Sequence, residues 1–406
     1  MRLHLLALNP TDSVTEGYLP AAARLGLAVT VLTDRPEAHR RAHARHTAAG
    51  RAPLPPLDVL ACDVTDFRAC IATISALGRP DAVFTNSDHL QVQTALTAAY
   101  FALPGKDWRA ALRAKNKAEL RRALAARGLD AVRCAELPPG RDPRTLTGLP
   151  FPCVLKPREG VASEDVVLVG DGAELAARVR EIRARRPGAA LVAEEYLSGP
   201  LQSLETLGDG TALHLLAAFR ATLSPPPHFV EERMDLLPAL PQPHSAHVAA
   251  QLQALGIGFG ACHTEYVAQG GRARIIEVNY RSIGDQCDLA LAEALDLPYF
   301  DLVLRVHLGE MPPLPAGAAG CGRRVRIEYV CAGRGGTLKA APGPSETERD
   351  GVRLVYRPLR EVGEEHPHHR TNRDYLGVLR ATGTDEDRID RAVAAFLAAR
   401  RWEIVP

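Results

Sequence analysis

Apolar and polar positions along the chain switch between two periods, and the switches mark its elements. LHLLALN, residues 3–9, is an apolar run followed by a polar turn. YLPAAARLGLAVTVLTD then repeats first at helical and next at strand spacing, so strand, helix and strand are expected in succession. Gly26 is placed to end the helix, because glycine enters the left-handed conformation at little cost. RPDAVFTNSDHLQVQTALTAAYFALPG predicts a buried strand at 81–85, a polar strand end and a helix. Strands alternating with helices predict a parallel α/β domain over residues 1–110. ALRAKNKAELRRALAARGLDAV is read as one basic helix closed by Gly128, and the Pro- and Gly-rich stretch 130–151 as the lead into a second domain. There PCVLKP and EDVVLV read as strands around the small-residue loop REGVAS. A helix at 173–186 follows, and AALVAEEYL is a strand that bends at Gly199 and Pro200 before SLETL resumes. From Met311 onward, CGRRVRIEYVCAGRGGTLKAAPG alternates like a hairpin, and DEDRIDRAVAAFLAARRW is an amphipathic helix.

Composition narrows the function classes. The 406 residues suffice for two or three domains, and an apolar content of 46% is ordinary for a globular protein. A net charge of +1 argues against nucleic acid or a membrane surface as partner. Eight cysteines are scattered without CxxC pairs, which predicts reduced packing residues in a cytoplasmic protein and no zinc site. Of 49 basic residues only five are lysines (106, 115, 117, 156 and 339), so each retained lysine hints at a compact point charge. The first turn, NPTDSVTEG, lacks the GxGxxG of a dinucleotide site.

HTEYV (263–267) and IIEVNYR (275–281) flank AQGGRAR, whose Gly270 and Gly271 suit a tight reversal, so the two are expected to pair antiparallel. Strand alternation puts Glu277, Asn279 and Arg281 on one face and Ile276, Val278 and Tyr280 on the other, in a core. A three- or five-residue loop centred on Gly271 would set Glu265 opposite Glu277; an even loop would put them on opposite faces. Two carboxylates and an amide oxygen that close suit Mg²⁺ or Mn²⁺. A solvated acidic strand face explains the same residues, and both readings stand at this point. Lys156 roots a loop whose backbone N–H groups could meet phosphates, and the corner at Glu194, Glu195 and Leu197 could offer an adenine edge a backbone donor and acceptor; each also reads as an ordinary turn.

In this order the pieces (NKAELRRALAARG, PCVLKPREGVAS, VAEEYLSG, HTEY and EVNYR) resemble the ATP-grasp superfamily of carboxylate-amine ligases over residues 1–310. The resemblance implies an α/β architecture with a parallel N-terminal (pre-ATP-grasp) domain at 1–110, two α+β subdomains at 111–200 and 201–310 that enclose ATP, and a C-terminal α+β extension at 311–406. It implies that Lys117 and Lys156 contact the nucleotide phosphates and that Gly160 and Ser163 belong to a loop over them, stiffer here for Val161 and Ala162. Glu194 and Leu197 match the backbone contacts to adenine, with Glu195 nearby, and Glu205 matches a further site carboxylate. Glu265, Glu277 and Asn279 match the Mg²⁺ (or Mn²⁺) ligands, and Arg281, with Lys156, matches the groups at the reacting phosphate. The implied reaction joins a small-molecule carboxylic acid to an amine or amino acid through an acyl phosphate. EVNYRSIGDQ and the tail are similar to siderophore-pathway ligases of the vibrioferrin type.

Acceptor-side candidates are Arg220, His228 and Arg233 on a Pro-stiffened loop, His263 beside Glu265, and Ser282, Asp285 and Gln286 after the metal strand. GEEHPHHR, 363–370, reads as an exposed loop rather than a metal site. No nucleic-acid or membrane partner is expected, and a homodimer is allowed for. A phosphotransferase, a carboxylase and a nucleotide-binding regulator without catalysis are the competing expectations.

Overall fold

The computed structural model describes residues 1–310 and 322–406, so Cys321 and the start of the expected tail lie outside the described residues. The N-terminal domain is a four-stranded parallel sheet in the order Leu57–Ala61, Ala28–Thr33, Arg2–Leu6, Ala82–Phe84. Strand order reverses between the last two, and the loops leaving their carboxyl ends, at 8–12 and 86–88, form a crevice of the kind that holds ligands in open α/β sheets. Gly26 ends the helix Leu19–Arg24 with φ +65°, as the sequence predicts.

The expected single basic helix is two, Trp108–Lys115 and Lys117–Ala126. Asn116 divides them: it is extended, and its Oδ1 accepts from Ala118 N and Glu119 N at 3.1 and 3.2 Å, so it caps the second helix. Asparagine prefers that capping role to a helix interior, and the break puts Lys117 at a helix start.

A four-stranded antiparallel sheet follows, ordered Cys134–Leu137, Leu191–Glu195, Cys153–Pro157, Val167–Val169, with helix Gly172–Arg185 packed on it. The larger layer is a nine-stranded antiparallel sheet. Its first five strands are Arg272–Asn279, Phe259–Gln269, Leu201–Asp209, Leu213–Leu223 and Glu231–Leu236; it then continues without interruption into Arg324–Cys331, Tyr375–Gly383, Val352–Pro358 and Ser345–Arg349. The C-terminal strands thus extend the sheet that carries the acidic hairpin. The expected hairpin within the tail does not form, because Gly336–Ala340 leaves for a small sheet with Glu365–His366 and Glu403–Val405. Among the described residues no helix is long and apolar enough to cross a membrane.

Candidate active site

Strands Phe259–Gln269 and Arg272–Asn279 close through a two-residue turn, Gly270 and Gly271, with φ of +56° and +76°. Both positive values suit glycine and the twist of a hairpin. This is the even loop that would separate the two acids, since it opposes Gln269 to Arg272 and, continued regularly, Glu265 to Ile276. A β-bulge between Glu265 and Tyr266 absorbs one residue of the facing strand and restores the pair Glu265 and Glu277. The cost falls on Ile276: instead of entering the core with Val278 and Tyr280, it joins Glu277 in lining the cavity. Two rows cross the sheet on this face, Ser203, Glu265 and Glu277, then Glu205, His263 and Asn279.

Each acid has a counter-charge. Lys117 Nζ lies 2.8 Å from Glu277, and His263 bridges Glu205 (2.8 Å) and Glu265 (3.2 Å). Burial works against a charged His263, but Glu205 and then Glu265 overcome it and raise its pKa to about 10. Glu205, buried with Ser203 Oγ at 2.7 Å, does not line the cavity and touches this face through its contact with His263. Asn279 Nδ2 donates to Glu265 at 3.4 Å.

On the opposite wall Glu194 is buried beneath Lys156 (2.8 Å) and a bidentate Arg121 (2.8 Å twice). Burial pushes its carboxyl up, yet Arg121 and Lys156 hold it well below the usual carboxylate range. Burial, against the pull of Glu194, lowers the pKa of Lys156, with Arg121 and Lys117 adding to the decrease. Arg121 already engages both Glu194 oxygens, so the Lys156 ammonium can turn to another anion. The Glu194 backbone is laddered to Cys134 and Val154 on either side, whereas Leu197 lies past the strand end. Glu195 faces Arg274 at 3.1 Å. Val154, Leu197, Leu201, Val267 and Ile276 give this cavity an apolar end, and Lys117, Lys156, Gly160, Ser163, Glu265 and Glu277 a charged one.

Glu231 also lines the charged end, and sequence reasoning missed it: nothing in VEERM separates it from Glu232. Burial, then the neighbouring Glu265, raises its carboxyl to about 8. Lys115 and Asp88, paired near the second crevice, were missed too; the rarity of lysine was the available signal.

A second cavity of about 430 Å³ shares Val161 with the first. It fills the crevice at the parallel sheet's strand ends and is lined by Asp12, Asn86, Asp88, Arg281, Asp285 and Gln286, with Tyr329 and Val378 from the C-terminal strands. Asp285 and Gln286 thus reach it as expected. Ser282 does not: it is buried between Tyr18 and Tyr299, the latter at 2.9 Å. Arg220 and Arg233 are held by Asp235 at 3.6 and 3.0 Å, and His228 faces a separate charged hollow with Glu164 and Arg178, so none of these three lines either cavity.

Two subdomains clasping a cavity over an acidic antiparallel hairpin, behind a parallel N-terminal sheet, decide the architecture. The chain has the ATP-grasp fold. Over its full length it superposes on 99% of an L-amino acid ligase from Bacillus licheniformis with a TM-score of 0.78 at 21% identity. It also matches all of the phosphoribosylglycinamide synthetase of Anaerococcus prevotii (TM-score 0.71, 14% identity, all of this chain). The biotin carboxylase domain of the Hydrogenobacter thermophilus 2-oxoglutarate carboxylase, solved with MgADP and bicarbonate, matches at 0.73 and 14% identity, covering 100% of this chain and 91% of that one. In sequence, the chain is 24% identical to the uncharacterized protein y4rH of Sinorhizobium fredii, over 100% of this chain and 84% of that protein. No protein-family model matches.

Proposed function

We propose that the chain is an ATP-dependent carboxylate-amine ligase that forms an amide through an acyl phosphate and releases ADP and phosphate, with an amino acid as one substrate. The observation that carries the reading is the meeting of Lys117, Lys156 and the acidic hairpin around one cavity that adjoins a second containing Arg281. The second cavity places Asp12 and Asp285 beside Arg281, a mixed charge set that suits a zwitterion. The name of the Bacillus licheniformis relative agrees with this substrate class.

The residues fit a hard divalent cation. Glu265 and Glu277 stand opposite one another, Asn279 spends its amino group on Glu265 and keeps its carbonyl oxygen as a donor, and Lys117 and His263 supply the positive charge that Mg²⁺ or Mn²⁺ would bring. Among the described residues no group of three or more His, Cys, Asp or Glu is arranged to hold a metal, so such an ion would rest on the two glutamates, Asn279 and phosphate oxygens. Once bound, it would supply charge neutralisation at the β- and γ-phosphates.

The chain's own groups do the rest. Lys156 and Lys117 draw the triphosphate to the charged end. An oxygen of the acid attacks the γ-phosphorus, the bond to the β,γ-bridging oxygen breaks, and ADP leaves with the electron pair. Arg281 offsets the repulsion between the two anions at the boundary of the cavities. The amine nitrogen then attacks the acyl carbon, loses a proton, and phosphate departs with one former carboxylate oxygen. The loop from Gly160 to Ser163 screens the mixed anhydride from water. None of the similar structures named above is a siderophore-pathway ligase, and Ser282, one of the residues behind that resemblance, is buried in the core.

An ADP-release screen over pairs of carboxylic acids and amines, with mass spectrometry of the positives, tests the proposal. ADP formation that requires both partners and yields a product lighter by one water than their sum is expected. Equal ADP formation with an acid or alcohol alone, giving a stable phosphorylated product, would make the chain a phosphotransferase instead.

A further inference from the structure

The phosphate loop departs from a flexible glycine loop in a specific way. Ala162, Ser163 and Asp165 all have left-handed backbones, with φ of 54° to 56°. For residues other than glycine that conformation costs on the order of 1 kcal/mol each, so it persists where surrounding contacts impose it. Some contacts come from within the ATP-grasp core: Ser163 Oγ donates to Phe229 O at 2.8 Å. The others come from the C-terminal extension. Asn372 N donates to Ala162 O at 3.2 Å, and the Arg373 guanidinium meets Glu164 at 2.8 Å. The Asn372 side chain turns the other way, to the cavity wall: its Oδ1 accepts from Glu231 N at 3.1 Å, and its Nδ2 donates to the Glu231 carboxylate at 3.3 Å.

The turn presenting Asn372 is itself rigidly built. Asp374 accepts from the backbone of His369 (2.8 Å) and from buried His366 (3.0 Å), and Thr371 and Asp374 cap one another across the turn. The segment GEEHPHHR, expected to be an exposed loop, is exposed over most of its length and leads into a fixed turn that touches Ala162 and Glu231 at the first cavity.

We infer that the turn Thr371–Asp374 is part of the nucleotide site and that Asn372 is a positioning residue, tying the phosphate loop to Glu231 so that loop and cavity wall keep one spacing. Its effect on turnover rests on the ATP reading above; its effect on the loop does not. A single side chain fixes Glu231 at two points while its own backbone fixes the loop, so removing the side chain unties the two walls without touching a lysine or a hairpin acid.

Hydrogen–deuterium exchange of the peptide spanning 160–166, in nucleotide-free protein, tests the inference. Asn372→Ala keeps its N–H on Ala162 but releases Glu231, so it is expected to speed exchange of the Glu231 amide by about tenfold, to speed exchange of 160–166 by a smaller factor, and to leave peptides of the acidic hairpin unchanged. The ATP concentration for half-maximal ADP formation should rise several-fold, with the maximal rate reduced less. Asn372→Asp, which keeps the acceptor for Glu231 N but sets a carboxylate against Glu231, should recover part of the exchange protection and none of the ATP affinity. If Asn372→Ala does not fold, Asn372→Asp is read for the contact with Glu231, and Arg373→Ala, a half-exposed side chain paired to Glu164, tests on the same peptide whether the turn holds the loop. Loop exchange unchanged from wild type in the folded variant would overturn the inference while leaving the ligase reading intact. Absence of any ATP binding to the wild-type chain would sink the ligase reading and leave exchange to judge the tie.

Discussion

At Glu194 a single buried carboxylate balances Arg121 and Lys156. Its removal strands two buried cations, so Glu194→Ala is expected to destabilise the fold by about 3–5 kcal/mol, read by urea denaturation. Glu277 plays a different part: it lines the cavity beside Lys117, and glutamine keeps an oxygen to accept from that ammonium, so Glu277→Gln should leave the melting temperature within a few degrees of wild type and lower ADP formation by at least about a hundredfold. An unaltered rate in that variant would remove the hairpin from the chemistry. His263 predicts a pH dependence. Its pKa is raised from 6.5 to about 10 on folding, so its contribution to stability is fully present below pH 6.5 and is lost as pH climbs towards 10. In metal-free buffer the wild-type melting temperature should therefore fall across that window more steeply than that of His263→Asn; parallel curves would show that the glutamate partners do not hold the charge. These residues were legible to different degrees. Lysine scarcity marked Lys117 and Lys156 along with three others and the resemblance singled out the pair, whereas Glu231 and Asp12 are ordinary acids in the sequence and reach the cavities only through the fold.

Among the elements, the acidic hairpin shows how far pattern reading reaches. Pairing of HTEYV with IIEVNYR was legible in the sequence, but the opposition of Glu265 to Glu277 was expected from an odd loop and is reached instead through an even turn and a bulge. Twin glycines favour a two-residue turn, and the bulge that corrects the register has no marker in the sequence, since it depends on which face of Ile276 the cavity accepts. The turn itself is testable. Gly271 has φ +76° and open space around it, so Gly271→Val should cost about 1–2 kcal/mol from backbone strain alone, while Gly271→Asn, which tolerates that conformation, costs less. Equal unfolding midpoints for the two variants would contradict the turn geometry. The helix break at Asn116 was written in the sequence as a capping residue, though a continuous run of good helix formers masked it.

Across the whole molecule, the α/β lead-in and the order of the motifs behind the resemblance were legible because each is local. The continuation of the hairpin's sheet into the C-terminal strands was not, because Glu231–Leu236 pairs with Arg324–Cys331 across some ninety residues of sequence, and register at that separation is set by packing. That continuity brings Tyr329 and Val378 to the second cavity and sets Asn372 behind Glu231 on the wall of the first, so residues far from every motif shape both cavities. In the function we propose, a carboxylate is activated by phosphorylation in the space between these cavities before an amine captures it. The most direct test uses the acid found in the substrate screen, labelled with ¹⁸O in both carboxylate oxygens, and mass analysis of the phosphate released as amide forms. One ¹⁸O atom per phosphate is the predicted result; phosphate free of label while amide accumulates would contradict the account.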